Sequence, residues 1–208
     1  ITVSNIPAPT PSPAPTPSPT PTPSPTRGQE DNARKIQSIN DITAQNKPST
    51  FQLNRFAKVG NKDIKTIIIV TQKRDNITGK LSGEIIASMS GRDNIRGGGG
   101  ADGFLFQDRN HFGKKEQDTI VDFNPERGDS LLIDGDIFDL GSNHILKKVK
   151  NMKKAKRKDN SKADFIYEEK RGYLWYNENG KENGWGDGGV FVKLKGAPEL
   201  GLSDFTIV

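Results

Sequence analysis

A nine-residue periodicity between residues 61 and 105 limits the fold of this chain more than any other feature. Divided into nines back from Leu105, the sequence reads GGGGADGFL, SMSGRDNIR, GKLSGEIIA, VTQKRDNIT and NKDIKTIII. The eighth position is always a large apolar residue, and the sixth is acidic in four consecutive units. A helix of 3.6 residues per turn cannot keep this phase, whereas a unit of one loop and one short strand can.

The motif Arg-Asp-Asn-Ile occurs twice, at residues 74–77 and 92–95, with an offset of 18 residues. If each nine-residue unit turns the chain once and points one apolar side chain inward, two units complete one coil. Residues 18 apart then stack on the same side. The spacing therefore predicts a parallel β-roll or β-helix over residues 51–123. Its core would be the eighth-position residues Ile68, Ile77, Ile86, Ile95 and Phe104.

The sequence after residue 123 changes to alternating apolar and polar residues. Segments such as "GYLWYN" and "GVFVKLKG", separated by Gly and Asn, are typical of short strands joined by turns. We therefore expect an all-β chain, in which a C-terminal β region over residues 124–208 packs onto the end of the roll and covers its open edge.

The N-terminal 30 residues are a linker of a different composition. Every second residue from Pro7 to Pro25 is proline, which accounts for ten of the thirteen prolines. Such a tract has no apolar side chains to bury, and we expect a disordered, extended polyproline II spacer. The polar residues 31–50 predict a connector, in which residues 33–39 could form a short helix. Because a spacer joins two parts, we expect the chain to be the C-terminal piece of a longer protein.

Three segments carry a resemblance to a known family. Residues 97–105 match the nonapeptide Gly-Gly-x-Gly-x-Asp-x-(large apolar)-x, and residues 88–96 keep its Gly91, Asp93 and Ile95. "DTIVDFNPERGDSLLID" (118–134), "FIYEEKRGYLWYNENGKENG" (165–184) and "VFVKLKGAPELGLSDFTIV" (190–208) follow in the same order as in that family. The chain from about residue 70 resembles the C-terminal region of secreted bacterial RTX proteins with haemolysin-type repeats, including serralysin-like proteases and cyanobacterial proteins.

The resemblance implies that calcium ions lie between stacked turns of the roll. Asp75 and Asp93 would serve one side, and Glu84 and Asp102 the other. Loop carbonyls would come from Gly91, Gly97, Gly98 and Gly100. Carboxylate and carbonyl oxygens are the ligands that calcium prefers. Most loops, however, lack the family's glycines and carry basic neighbours, so a roll held by its apolar residues alone, with solvated acids, is the alternative. For Asp118, Asp122 and Asp129 we favour roles as cap or turn residues.

The resemblance also implies a function. The chain would be a calcium-binding module of an exported bacterial protein, secreted by a type I (ABC) apparatus and folding when it meets calcium outside the cell. It would be extracellular or at the cell surface, and monomeric as a module. The secretion signal would include the apolar C-terminus, Asp204, Phe205, Thr206, Ile207 and Val208. The same residues could equally be a final strand with Phe205 and Ile207 directed into the core.

A basic run supports a second function, that of an attachment module for cell-surface polysaccharide. Residues 147–158 contain eight basic residues and no acid in a chain of net charge +5. Such a field attracts polyanions, although a solvated loop between two strands is the simpler interpretation. Nucleic acid is not expected as a partner, because an exported protein seldom meets it. The basic residues are Lys147, Lys148, Lys150, Lys153, Lys154, Lys156, Arg157 and Lys158.

Several other functions find no support in the residues. The chain contains no cysteine, which excludes disulfides and zinc–thiolate sites. No apolar run is long enough for a membrane span. The two histidines, His111 and His144, stand apart from each other and from any catalytic motif. We therefore expect no enzyme in this chain, and any catalytic domain would lie upstream of it.

Overall fold

The computed structural model describes residues 48–59, 62–108, 112–141, 143–151, 153, 162–182 and 184–208. The predicted linker (1–30) and the predicted connector, apart from residues 48–50, lie outside these residues. The strands in chain order are β1 (Ser49–Val59), β2 (Lys62–Ile69), β3 (Asn76–Thr78), β4 (Glu84–Ser88), β5 (Asn94–Arg96), β6 (Gly103–Phe106), β7 (Asp118–Ile120), β8 (Ser130–Ile133), β9 (Leu146–Val149), β10 (Phe165–Glu168), β11 (Tyr173–Tyr176), β12 (Gly189–Leu194) and β13 (Phe205–Ile207).

The strands form two sheets, and the expected all-β class is confirmed. The first sheet has the order β1-β2-β4-β6-β8-β13, and the second β3-β5-β7-β12-β11-β10-β9. From β2 to β8, successive strands alternate between the two sheets. Described helical structure includes two short 3₁₀ turns, Pro125–Arg127 and Leu202–Asp204.

The 18-residue offset in the sequence equals the register between parallel strands. Asn76 pairs with Asn94 and Ile77 with Ile95, which joins the two copies of the repeated motif in β3 and β5. In the other sheet, Ile86 of β4 pairs with Ile68 of β2 on one side and with Phe104 of β6 on the other. Residues one period apart are therefore neighbours across a parallel ladder.

The main core lies between the two sheets. The eighth-position residues Ile68, Ile77, Ile86, Ile95 and Phe104 are all buried there, as predicted. On the short strands β3 and β5 the buried isoleucine is flanked by two exposed residues, which is the period of two that a half-buried strand requires.

Aromatic rings from the C-terminal half complete this core. Phe138, Phe165, Tyr176 and Phe191 pack against one another with ring centroids 5.0 to 6.3 Å apart. Strands of both predicted segments share the two sheets, since β8 continues the first sheet beyond β6 and β12 continues the second beyond β7. The C-terminal region therefore extends both sheets and does not only cover one end.

Candidate metal centre

Three aspartates along the second sheet form a continuous hydrogen-bonded series. Oδ1 of Asp118 accepts the backbone N–H of Asp93 at 2.8 Å, and Oδ1 of Asp93 accepts the N–H of Asp75 at 2.8 Å. Oδ2 of Asp75 in turn accepts the N–H of Thr71 at 2.7 Å. Asp118 and Asp93 thus each tie their own loop to the loop before it, whereas Asp75 closes a hydrogen bond within its own loop. We call this series the first carboxylate ladder.

A second carboxylate ladder runs along the first sheet. Oδ1 of Asp129 accepts the N–H of Asp102 at 3.1 Å, and Oδ1 of Asp102 accepts the N–H of Glu84 at 2.9 Å. Oε2 of Glu84 then accepts the N–H of Lys80 at 2.9 Å. The acids at the sixth position of the repeat are therefore not simply solvated. They satisfy backbone donors that lie between successive strands.

Asp93 and Asp102 each keep one carboxylate oxygen that has no hydrogen-bond donor among the described residues. Their side chains are 1% and 0% exposed, and the oxygen concerned is Oδ2 in both. Burial raises the pKa of Asp93 from 3.8 to about 7, against the opposing effect of the hydrogen bond from Asp75. Burial likewise raises the pKa of Asp102 to about 7. A buried carboxylate oxygen of this kind is costly unless it binds a proton or a cation.

The loops beside the second ladder approach one another at glycines. A Cβ atom on Gly79 would lie 2.1 Å from the carbonyl oxygen of Gly97 and 2.9 Å from Oε2 of Glu84. A Cβ on Gly97 would lie 2.4 Å from the unpartnered Oδ2 of Asp102. Only glycine fits at these two positions, and at Gly97 the ring of Phe104, 3.0 Å from such a Cβ, also leaves no room for a side chain.

The oxygen atoms beside the second ladder are of the type that calcium binds. The atoms near Gly79 and Gly97 include carboxylate oxygens of Glu84 and Asp102 and the carbonyl oxygen of Gly97, which are hard ligands of the type that calcium takes in flexible geometry. Carboxylates are few, however. In the described part of the chain, no three His, Cys, Asp or Glu side chains are grouped closely enough to hold a metal ion. A calcium ion here would have to draw several of its ligands from the backbone.

The other predicted glycines have a steric reason of their own. Gly91 and Gly98 adopt φ values of 117° and 98°, which side chains rarely tolerate. A Cβ on Gly98 would lie 2.1 Å from the carbonyl oxygen of Lys80 in the loop stacked beneath it. Close stacking of loops is thus sufficient to require these glycines. Gly100 has a φ of 83°, and a Cβ there would likewise clash with the backbone of Gly83.

Asp118, Asp122 and Asp129 cap backbone groups, as we favoured from the sequence. Two of them also extend the ladders, which the sequence did not indicate. They lie 25 and 27 residues after their partners Asp93 and Asp102, instead of 18. Asp122 accepts the N–H groups of Gly97 and Gly98 at 2.9 and 3.1 Å. The only sequence signal for the ladder positions of Asp118 and Asp129 was that each closely precedes an apolar strand residue.

Asp118 is the most enclosed of these acids. It is 0% exposed, and burial raises its pKa well above the ordinary value, with the nearby charge of Asp93 adding to the effect. The hydroxyl of Ser88 donates to its Oδ2, so both of its oxygens have donors. Its two hydrogen bonds distinguish it from Asp93 and Asp102.

Arginine side chains accompany the last acids of this region. Arg127 donates to Oδ2 of Asp129 at 2.8 Å, and Arg96 lies 3.5 Å from Oδ2 of Asp122. The hydrogen bond to Asp129 raises the pKa of the Arg127 guanidinium, which therefore stays charged. The protein thus supplies its own cations at Asp122 and Asp129.

The C-terminal residues form a strand, in agreement with one of our two interpretations. Phe205, Thr206 and Ile207 pair in parallel with Leu131, Leu132 and Ile133. Phe205 is buried in the main core and Ile207 packs partly against it, whereas Val208 is 61% exposed. This placement leaves secretion untested, because a segment can be recognised before it folds.

The basic run begins within a strand, so its interpretation as a loop is wrong for the first residues. Lys147 and Lys148 lie on β9, at the edge of the second sheet, and Lys148 Nζ is 3.6 Å from Oε1 of Glu199. Lys150 and Lys153 are exposed. The remaining four residues, Lys154, Lys156, Arg157 and Lys158, lie outside the described residues.

No protein-family model matches the chain, and no curated protein matches its sequence. The described residues include no helix with the length and apolar character that crossing a membrane requires.

Proposed function

We propose that this chain is a calcium-binding folding module at the C-terminus of a larger exported bacterial protein. In this proposal the strands from β2 to β8 form a degenerate β-roll of nine-residue units, and calcium lies beside the carboxylate ladders. The observation that carries the proposal is the pair of buried, unpartnered Oδ2 atoms of Asp93 and Asp102. Each belongs to a carboxylate whose other oxygen is already engaged by the backbone of the preceding loop.

Calcium would make folding conditional on location. Without it, two buried carboxyl groups must stay protonated or remain charged away from water, and several glycines must be ordered at an entropic cost. With it, the binding free energy adds to the stability of the folded state by mass action. A chain kept loose inside a cell with little free calcium could pass a type I secretion channel and fold outside.

Calcium coupling can be tested by thermal unfolding and circular dichroism in EGTA and in millimolar CaCl₂. We expect calcium to raise the melting temperature of the parent chain, and the Asp102→Asn variant to lose most of this increase. Asp136→Asn is the matched control, since Asp136 is an exposed acid of the turn after β8 that belongs to neither ladder. Equal melting temperatures of the parent chain in EGTA and calcium would refute calcium coupling.

Secretion requires a separate test, because it could fail while calcium binding holds. A host with a matched ABC transporter would express the full chain, a chain ending at Ser203 and a chain ending at Lys195. We expect export to fall with the truncations. Since removing residues 204–208 also removes β13, Val208→Asp is added as a variant that alters the tail at an exposed position. Full export of the chain ending at Lys195 would refute the assignment of a secretion signal to this region.

A further inference from the structure

The outward face of the second sheet carries a row of polar side chains. Asn76, Asn94, Thr119, Lys193 and Tyr173 are successive cross-strand partners on β3, β5, β7, β12 and β11. On β3, β5 and β7 the residue that follows each row member is a buried isoleucine, so the row faces away from the core. We call these five residues the polar row.

Basic side chains outnumber acidic ones on this face. Among the described residues of the seven strands, the charged side chains directed outward are Arg96, Lys193 and Lys147, together with Glu168. Glu168 is the cross-strand partner of Tyr173 and is 0% exposed. Arg96 follows the row member Asn94 at a distance of two residues, and its ion pair with Asp122 leaves 53% of its side chain exposed.

The spacing of the row is fixed by the sheet. Neighbouring strands lie about 4.8 Å apart, which is close to the length of one pyranose unit. Amide and hydroxyl groups of Asn76, Asn94 and Thr119 can hydrogen-bond to sugar hydroxyls, and the cations can pair with acidic substituents. A sugar chain lying across the strands would meet one row member per residue.

We infer that the polar row and its flanking cations bind an extended acidic polysaccharide laid across the second sheet. The carboxylate or sulfate groups of the ligand pair with Arg96 and Lys193. This function goes beyond calcium-coupled folding and uses none of the ladder carboxylates. Nucleic acid fits the face less well, because Lys193 Nζ lies over the ring of Tyr173, 5.4 Å from its centroid, and occupies the ring face on which a base would stack.

The test compares two double variants that lose the same charge. The row variant is Arg96→Gln with Lys193→Gln. The control is Lys114→Gln with Lys115→Gln, which changes two exposed lysines in the turn before β7, outside the sheet. Affinity is measured for heparin and polygalacturonate, with neutral dextran and duplex DNA as comparison ligands, in both EGTA and calcium. Thermal unfolding checks that each variant folds like the parent.

We expect the row variant to bind both acidic polysaccharides about tenfold more weakly at constant salt, as for the loss of two exposed ion pairs. The control should bind like the parent, and parental binding should fall steeply with salt. Equal losses in the two variants would show that net charge alone is responsible and overturn the inference. So would binding that needs calcium and survives the row substitutions, equal binding to dextran, or tighter binding to DNA.

Discussion

A ladder carboxylate can both accept a hydrogen bond and carry a charge. Replacing Asp102 by Asn should separate these two roles. Asn keeps an oxygen at Oδ1 that can accept the N–H of Glu84, but it cannot ionise. Its amide nitrogen would take the place of the unpartnered Oδ2. The variant therefore preserves the hydrogen bond between the loops and removes only the charge.

The magnitude follows from the pKa of Asp102, which burial raises from 3.8 to about 7 in the folded protein. Between these two values the folded state holds a proton that the unfolded state has released. The stability contributed by protonated Asp102 is complete below pH 3.8 and is lost as the pH rises through about 7. At about 1.4 kcal/mol per pKa unit, the loss totals about 4 kcal/mol, of which about 2–3 kcal/mol falls between pH 5 and pH 8.

The assay is urea unfolding of the parent and of Asp102→Asn at pH 5 and pH 8, in EGTA and in millimolar calcium. In EGTA, the stability of the variant relative to the parent should increase by about 2–3 kcal/mol from pH 5 to pH 8. In calcium at pH 8 the parent should regain stability relative to the variant, because a bound cation stabilises the ionised carboxylate of the parent and finds none in the variant. If the free energies of unfolding of the two proteins in EGTA change equally with pH, burial does not raise the pKa of Asp102 as argued. This conclusion would hold whatever the result in calcium.

Three further substitutions test the packing around the ladders. Ile95→Ala, at a fully buried position between the sheets, should lower the free energy of unfolding by about 2–5 kcal/mol in urea titrations, and a smaller loss than Ile→Val usually causes would contradict the core assignment. Gly97→Ala places a Cβ 2.4 Å from Oδ2 of Asp102 and should cost about 1–3 kcal/mol, together with weaker calcium binding by calorimetry. Tyr167→Phe removes the 2.7 Å hydrogen bond to the Pro198 carbonyl and should lower the melting temperature by the equivalent of about 1 kcal/mol; an unchanged melting temperature would show that the bond contributes nothing.

The register of the sheets could be predicted because side-chain burial repeats with the chain. Ile77 and Ile95 must both face the core, and a shift of one residue would expose either of them. Apolar periodicity therefore determines which residues pair, as it did for Ile68, Ile86 and Phe104. Nothing in the residues beyond 123 shows the same period, which is why the joining of β7 to β12 could not be predicted.

The ladder partners of Asp118 and Asp129 could not be found from spacing. Residues 107–117 lengthen the connection between β6 and β7, so the offset between Asp93 and Asp118 becomes 25. Extra loop residues add little to the closure entropy, so the stacking of strands survives although the sequence period is lost. A search limited to offsets of 18 therefore stops before the last acid of each ladder.

The arginines near the ladders bear on where the proposed calcium ions would lie. At the C-terminal end, Asp129 has the guanidinium of Arg127 and Asp122 has that of Arg96. The described residues show no such ion pair for Asp93, Asp102 or Asp118, which are all almost fully buried, and the more distant charge of Arg127 only partly offsets the effect of burial on the pKa of Asp102. A carboxylate in that position needs a proton or an external cation, whereas one beside an arginine needs neither. Calcium should therefore stabilise the middle loops of the two sheets and leave the region around Asp122 and Asp129 ordered in its absence.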